Sequence, residues 1–263
     1  MYVPIDPQPS SARAWVAAAS AVKSAGGEAY NVIIDIADAV VEDVTDTAII
    51  QEVDRYLRTH YTYSVITVAN TIFPESTLRR YGPVDFYAAY RERVFRRMKR
   101  MTRDWGRYFD RLTNWTKVRN GQITTINPLQ ELITFMQAQI GGGRTYRNVY
   151  EMAIYDPTRD AGKISNRQCL SFLSFKLTPD GRLMLTAVYR NHTYIARGLG
   201  NFIGLGRLQA FVAQQSGATL GSLTCVSTHA EIDHSKTNRN GVTEGWTKRE
   251  ADDLIDRCER LIR

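Results

Sequence analysis

Apolar and polar positions alternate along several stretches in the second half of the chain, and this alternation predicts strands. Three such stretches cover residues 147–155, 169–178 and 182–190. A Pro-Asp-Gly segment joins the last two, and this composition is typical of the turn in a β-hairpin. Residues 223–232 alternate in the same way and predict a further strand. The second half of the chain is therefore expected to be rich in sheet.

Helical periodicity, with apolar residues three or four positions apart, dominates the rest of the chain. It predicts helices over residues 11–24, 47–58, 84–103, 128–140 and 202–216, and a C-terminal helix over 247–262. This last helix begins at a capping box formed by Thr247 and Glu250. Two short runs in the first half, residues 31–36 and 63–68, predict strands. Because helices and strands mix without regular alternation, we expect an α+β fold.

Length and composition bound the class of protein. The chain has 263 residues, of which 43% are hydrophobic and 23% charged, and this suits one large domain over residues 1–263. It has no apolar run of about 18 residues, which a membrane-spanning helix needs. Its first residues lack the pattern of a signal peptide. The three cysteines lack metal-type spacing. We therefore expect reduced thiols, no metal, no membrane partner and a cytoplasmic location.

The formal net charge of +7 raises the question of nucleic acid. Much of the excess lies in residues 91–100, where basic side chains cover most of a predicted helix. A solvated helix face explains this pattern, and a stripe that binds RNA or DNA is the alternative. No nucleic-acid recognition motif accompanies the stripe, so nucleic acid is the second choice of partner.

A cysteine, an arginine and an asparagine occupy positions that suit chemistry. Cys169 opens a predicted strand, Arg190 closes the strand that pairs with it, and Asn201 follows eleven residues later near a helix start. A thiolate is a nucleophile, and arginines such as Arg167 lower the pKa of a nearby thiol. An arginine fork matches a phosphate. The structural alternatives are a packing cysteine, a surface salt bridge and an asparagine N-cap.

The order and spacing of these three residues resemble the thymidylate synthase and deoxycytidylate hydroxymethylase family. The resemblance is good over residues 122–233, loose over 65–121 and nearly absent over the divergent residues 1–64. It implies a thymidylate synthase-like fold, with a mixed sheet and flanking helices. It also implies a homodimer formed through the sheet.

The resemblance assigns the nucleophile and the phosphate site. Cys169 corresponds to the family's nucleophile, which adds to C6 of the pyrimidine ring, although Leu170 replaces the histidine that usually follows it. Arg190 corresponds to the arginine that holds the nucleotide phosphate, next to Asn191, where the family has serine. Family members also carry paired arginines that reach into the partner subunit's phosphate site, and Arg147 corresponds to one of them.

The resemblance also assigns the base and sugar contacts. Asn201 corresponds to the residue that reads the pyrimidine edge, and it favours uracil without excluding cytosine, because a carboxamide both donates and accepts. His229 and Glu231 correspond to the pair that contacts the ribose. Thr193 replaces an aspartate that contacts both the base and the folate ring, and this departure weighs against folate binding.

The general acid or base of the family is a glutamate on a helix before a Tyr-Gly-x-x-Trp type of segment. Residues 105–111 are the counterpart of that segment, and Tyr108 within it is predicted to be catalytic. Glu92 is the predicted acid or base because it is the glutamate on helix 84–103, and Glu75 is its competitor. Both are equally explained as surface carboxylates.

The implied reaction is one-carbon transfer from 5,10-methylenetetrahydrofolate to C5 of a pyrimidine nucleoside monophosphate, through a Cys169 adduct. The family's C-terminal tail, which closes over the folate, has no counterpart after Arg263. Because methylation requires exclusion of water during hydride transfer, we expect hydroxymethylation. The alternative is a catalytically degenerate protein of the same fold that binds a nucleotide or RNA.

Overall fold

The structure is a computed structural model of the chain. It describes residues 2–60, 62–97, 108–143, 146, 148–164, 167–239 and 242–263. Arg147 lies outside the described residues, and so do residues 98–107, which include the first three residues of the predicted segment 105–111.

A mixed sheet forms the centre of the described part of the chain. Its strands are β1 (Val3–Gln8), β2 (Glu28–Ile36), β5 (Glu151–Ala153), β6 (Leu170–Leu177), β7 (Arg182–Tyr189), β8 (His192–Thr193) and β9 (Thr219–Glu231). Their order across the sheet is β1-β2-β9-β7-β6-β5, with the short β8 paired to the end of β9. Two separate hairpins are β3 (Trp115–Arg119) with β4 (Gln122–Ile126), and β10 (Ser235–Arg239) with β11 (Val242–Trp246).

Helices flank the sheet. They are α1 (Ser11–Ser24), α2 (Val44–Thr59), α3 (Val65–Ile72), α4 (Glu75–Ala89), α5 (Tyr108–Thr113), α6 (Pro128–Gly141), α7 (Pro157–Asp160), α8 (Leu199–Ser216) and α9 (Lys248–Ile262). Two π-helical segments, Tyr90–Phe95 and Tyr194–Gly198, adjoin α4 and α8. Both parallel and antiparallel pairs occur in the sheet, so the prediction of an α+β fold with a mixed sheet and flanking helices is confirmed.

One face of the sheet is covered by α1 and α8, which contact both the strands and each other. Inward side chains of β7 and β9 alternate with half-exposed ones, as expected for a sheet with one covered face. The opposite face carries polar groups as well as apolar ones. There Asp35 accepts hydrogen bonds from the hydroxyls of Ser222 and Thr224, each at 2.9 Å.

The strand predicted over residues 63–68 is wrong, because this segment forms α3. The Ser64 hydroxyl caps the helix by accepting the backbone N–H of Thr67 at 3.1 Å. The helix then packs against α8 where Gly200 and Gly204 permit close approach: a Cβ on Gly200 would lie 2.6 Å from Val68 Cβ. Tertiary packing therefore overrides the strand preference of β-branched residues.

Several boundaries also differ from the sequence prediction. Asp43 is the N-cap of α2, and Asp46 is the third helical residue of its capping box. The predicted helix over 84–103 is α4, which begins earlier, bends at Gly82 and leads into the π-helical segment Tyr90–Phe95, and residues 98–103 are not described. The predicted strand over 147–155 shortens to β5. Among the helices of the described residues, none is long and apolar enough to cross a membrane.

Candidate active site

Cys169 and Arg190 are brought together by the antiparallel pairing of β6 and β7. Cys169 immediately precedes β6 and Arg190 immediately follows β7, and the Arg190 backbone N–H donates to the Cys169 carbonyl at 2.9 Å. The Arg190 guanidinium also donates to two carbonyls on the same side, to Gln168 at 2.9 Å and to Arg167 at 3.2 Å. The arginine therefore fixes the backbone that leads to the thiol.

The Cys169 thiol is half-buried, and its ionisation is set by opposing effects. Burial raises the pKa of the Cys169 thiol, while the nearby charges of Arg190 and Arg197 lower it and the charge of Glu231 raises it further. The expected lowering by arginines is present for Arg190 and Arg197, but desolvation outweighs it, so the pKa is raised overall. Arg167, which we expected to contribute, instead places its guanidinium over the Tyr155 ring at 5.4 Å.

Tyr108 lies on the β6 side of the thiol. It is the first residue of α5, is buried, and accepts the backbone N–H of Leu170 at 3.5 Å on its hydroxyl. Burial raises the pKa of Tyr108, as does the neighbouring Cys169 thiolate. The phenol therefore keeps its proton at neutral pH and can donate it to a hydrogen bond. The structure thus places the predicted Tyr108 beside Cys169.

Asn191, His229 and Glu231 form a second cluster at the ends of β7 and β9. The Asn191 amide donates to a Glu231 carboxylate oxygen at 3.1 Å, and its oxygen contacts His229 Nδ1. Because a carbonyl oxygen accepts, this contact places the proton of His229 on Nδ1. The Tyr30 ring lies 5.2 Å from the His229 ring. The structure brings these three predicted nucleotide-binding residues together, and their roles stay predictions.

Asn201 is held by a buried histidine that the sequence analysis missed. The Asn201 amide nitrogen lies 3.0 Å from His192 Nε2, and His192 Nδ1 lies 2.9 Å from the Ser227 hydroxyl. Burial lowers the pKa of His192 to about 3, so the ring is neutral. Its Nε2 then accepts from Asn201 and its Nδ1 donates to Ser227. Asn201 lies inside α8, whose N-cap is Gly198, so the alternative role as an N-cap is wrong.

Neither predicted acid or base lies in contact with the thiol. Glu92 is exposed on the π-helical segment after α4. Glu75 forms ion pairs with Arg79 at 2.7 Å and with Arg207 at 3.1 Å, and these contacts occupy both of its carboxylate oxygens. Among the described residues, neither carboxylate has a contact with Cys169 or Tyr108. The acid or base role stays a prediction for both.

Arg197 and Asp233 are two further residues of the site that the sequence analysis missed. The carboxylate of Asp233 accepts the backbone N–H groups of Ile195, at 2.8 Å, and Ala196, at 3.3 Å. It thereby holds the π-helical segment that carries Arg197. Burial raises the pKa of Asp233 to about 6, although these backbone hydrogen bonds lower it. The signal in the sequence is the spacing of Arg197 and Asn201, because residues four apart share one face of a helix.

Comparison with known proteins supports a thymidylate synthase-like family and nothing finer. The chain is 33% identical over 81 residues to a protein named "Putative thymidylate synthase" from Methanothermobacter thermautotrophicus, which covers 31% of this chain and 36% of that protein. It is 30% identical over 84 residues to a protein of the same name from Methanosarcina barkeri, which covers 32% and 38%. The chain thus matches little more than a third of the length of either relative. No family model matches the chain.

Proposed function

We propose that the protein has a thymidylate synthase-like fold and transfers a one-carbon unit to C5 of a pyrimidine nucleoside monophosphate. The observation that carries this proposal is the arrangement around Cys169, a half-buried thiol with the charges of Arg190 and Arg197 acting on it and the Tyr108 hydroxyl nearby. Burial disfavours ionisation of the thiol, and adjacent cations favour it. The same cations suit the binding of a phosphorylated ligand. The partial match to proteins named as thymidylate synthases supports the same reading.

The chemistry of the pyrimidine half of the reaction follows from these groups. Cys169 loses its proton and its sulfur forms a bond to C6. The electron pair of the C5–C6 double bond moves toward the C4 substituent, so C5 becomes a carbon nucleophile. After C5 bonds to the one-carbon unit it loses its hydrogen as a proton, and expulsion of Cys169 restores the double bond. The hydrogen of C5 is therefore released to water in each turnover.

Nucleotide recognition is assigned to the two polar clusters beside the thiol. Arg190 has guanidinium hydrogens left for a phosphate after its two backbone contacts, because the group carries five donors. Asn201 offers its oxygen and its second amide hydrogen to a pyrimidine edge, with its orientation set by His192. Glu231 and His229 are proposed to contact the ribose. Arg147 is proposed to reach into the phosphate site of the partner subunit.

The described residues do not supply one contact that a folate requires. The donor edge of a pterin ring pairs with a carboxylate. The resemblance implies an aspartate for this contact, but this chain has Thr193, which carries a hydroxyl. The nearby carboxylates are engaged, Glu231 with Asn191 and Asp233 with backbone N–H groups. Methylenetetrahydrofolate is therefore a proposed donor, which the adduct experiment tests.

We propose a hydroxymethylated product rather than a methylated one. A one-carbon unit at the oxidation level of formaldehyde, together with water, gives a hydroxymethyl group without any change of redox state. Methylation needs a hydride in addition, and hydride transfer requires a closely seated donor. The hydroxyl of Thr193 in place of a carboxylate supports the hydroxymethyl product. The homodimer is likewise a proposal, supported by the half-exposed strand positions on the uncovered face of the sheet.

A binding protein of the same fold is the second candidate, and the basic segment after α4 favours it. Arg91, Arg93 and Arg97 are exposed there, and the guanidinium groups of Arg80 and Arg93 lie within 5.5 Å of the Tyr81 ring. Basic groups around an aromatic ring suit a nucleic-acid strand. Such a protein would bind a nucleotide or RNA without forming a bond to it.

Intact-mass analysis with a 5-fluoropyrimidine nucleotide separates the two candidates. Because fluorine at C5 cannot leave as a proton, the enzyme should retain the nucleotide as a covalent adduct on Cys169. Because the block arises only after C5 has bonded to the one-carbon unit, the adduct should have the mass of nucleotide plus folate when both are present and should not be retained without methylenetetrahydrofolate. Cys169→Ser should show no adduct, and Cys225→Ser should still form it. Absence of any adduct with 5-fluoro-dUMP and 5-fluoro-dCMP and their ribonucleotides would support the binding protein.

A further inference from the structure

Arg197 is held in place by contacts on both sides of it in the chain. Before it, Asp233 binds the N–H groups of Ile195 and Ala196, and the Trp15 indole donates to the Tyr194 carbonyl at 2.7 Å. After it, Gly198 lies so close to Trp15 that a Cβ there would be 3.0 Å from the ring. The backbone of the π-helical segment that carries Arg197 is therefore tightly constrained.

Among the described residues, the guanidinium of Arg197 has no carboxylate partner, unlike those of Arg111, which is buried, and Arg207, which is half-buried. Arg111 pairs with Asp160, and Arg207 pairs with Glu75 at 3.1 Å. Arg197 is also half-buried, but within the described ranges its contact is with the Tyr63 ring, 5.1 Å from the centroid. A partly desolvated cation over an aromatic ring still has hydrogen-bond donors for an anion or a carbonyl oxygen.

Arg190 and Arg197 act on the thiol from different segments of the chain. Arg190 donates to the Gln168 and Arg167 carbonyls, which precede Cys169 in the chain. Tyr108 accepts from the N–H of Leu170, which follows Cys169, and the charge of Arg197 acts on both Tyr108 and Cys169. Contacts link the helix after Arg197 to β6: Leu170 pairs with Tyr189, the Tyr189 ring stacks on His192 at 4.1 Å, and His192 lies 3.0 Å from the Asn201 amide. Asn201 lies four residues after Arg197, in the first turn of α8.

We propose that Arg197 is a catalytic residue that holds the C4 oxygen or nitrogen of the pyrimidine, together with the Tyr108 hydroxyl and Asn201, on the Tyr108 side of Cys169. This inference rests on the proposed function and assigns to Arg197 a role that the resemblance does not provide. When the Cys169 sulfur bonds to C6, the electron pair released from the C5–C6 bond moves onto that C4 substituent. A fixed guanidinium there stabilises the negative charge as it develops, without reorganising. When Cys169 leaves, the same electron pair returns to the ring.

The position of the cation accounts for two departures of this chain from the family pattern. Leu170 replaces a histidine beside the nucleophile, and among the described residues the predicted carboxylates Glu92 and Glu75 make no contact with the thiol. Arg197 supplies a positive charge that acts on the same thiol. Its constrained backbone and its contact with Tyr63 supply the pre-organisation that such a role needs.

The test compares Arg197→Gln and Arg197→Lys, with Arg182→Gln as a control, because Arg182 is an exposed arginine paired with Asp180. The first readout is kcat and KM for tritium release from C5 of the pyrimidine nucleotides. Arg197→Gln should lower kcat about 100-fold or more and change KM by a few-fold at most, as expected for loss of a transition-state donor. Arg197→Lys should recover part of kcat. An unchanged kcat, or a loss confined to KM, would overturn the proposal.

The second readout is the pH profile of Cys169 alkylation by iodoacetamide without nucleotide. Arg197→Gln should move the profile to higher pH and Arg182→Gln should leave it unchanged, because the charge of Arg197, unlike that of Arg182, acts on the thiol. An unchanged profile in Arg197→Gln would mean that Arg197 does not affect the thiol, and this result would overturn the proposal. If the unmodified protein releases no tritium from any nucleotide, the proposed function fails. A shifted alkylation profile would then still support the placement of Arg197 beside the thiol.

Discussion

At the scale of the residue, the sequence was sufficient to pair Cys169 with Arg190 but not to describe their electrostatics. A hairpin with a Pro-Asp-Gly turn necessarily brings the start of β6 beside the end of β7. The depth of Cys169 depends on packing between distant segments, so the dominance of desolvation over the arginines could not be read from neighbouring residues. Arg197 and His192 reach the site from a π-helical segment and a two-residue strand, which leave no periodic signal.

The burial of the Asp233 carboxyl can be tested through the pH dependence of stability. Its pKa in the folded protein is about 6, above the ordinary 3.8, so the native state retains a proton that the unfolded chain has released. Its contribution to stability is therefore present at low pH and is lost as pH rises through 6. Asp233→Asn should keep the contacts to Ile195 and Ala196 and remove this loss. Relative to the unmodified protein, the variant should gain about 1–3 kcal/mol in unfolding free energy between pH 4.5 and 7.5.

Urea denaturation at these two pH values measures the difference. Asp180→Asn is the matched control, because hydrogen bonds from Thr178 and Arg182 lower the pKa of that exposed carboxyl. It should show no gain over the same range. A difference between Asp233→Asn and the unmodified protein that is independent of pH would mean that Asp233 ionises normally.

At the scale of the element, local signals were reliable where they included a cap or a turn. The capping box of Thr247 and Glu250 located α9, and the alternation around the Pro-Asp-Gly turn located β6 and β7. The edge strand β1 was missed because its prolines are tolerated only at a sheet edge. The hairpin of β3 and β4 turns at Asn120 and Gly121, a pair that favours such turns and was overlooked.

The packing of α3 on α8 makes a prediction at this scale. Gly204→Ala would place a Cβ 2.8 Å from the Ala69 carbonyl oxygen and 3.0 Å from Ile72 Cβ. A backbone atom cannot move aside cheaply, so the substitution should lower the unfolding free energy by about 1–3 kcal/mol. Gly141→Ala, in the last turn of α6 with nothing within 4 Å, is the control and should not destabilise the protein. Equal stability of the two variants in urea would show that α3 does not approach α8 so closely.

At the scale of the whole molecule, the sequence predicted the fold class but did not determine the partner or the ligand. Mixed parallel and antiparallel pairing confirms the α+β class, which the irregular order of helices and strands predicted. The homodimer through the uncovered face of the sheet stays a proposal. Sequence periodicity indicates which face of a strand is buried, but not whether a second chain covers it. The net charge of +7 is likewise compatible with a phosphorylated small ligand or with RNA. The site around Cys169, rather than the charge, favours the small ligand.

The central claim is that Cys169 activates C5 of a pyrimidine nucleotide, and release of tritium from C5 tests it most directly. The measurement uses dUMP, UMP, dCMP and CMP labelled at C5, each with and without methylenetetrahydrofolate. We expect tritium to appear in water with at least one nucleotide, to fall to background in Cys169→Ser, and to persist in Cys225→Ser, whose residue is a buried packing cysteine. No release from any of the four nucleotides, or near-normal release by Cys169→Ser, would contradict the account.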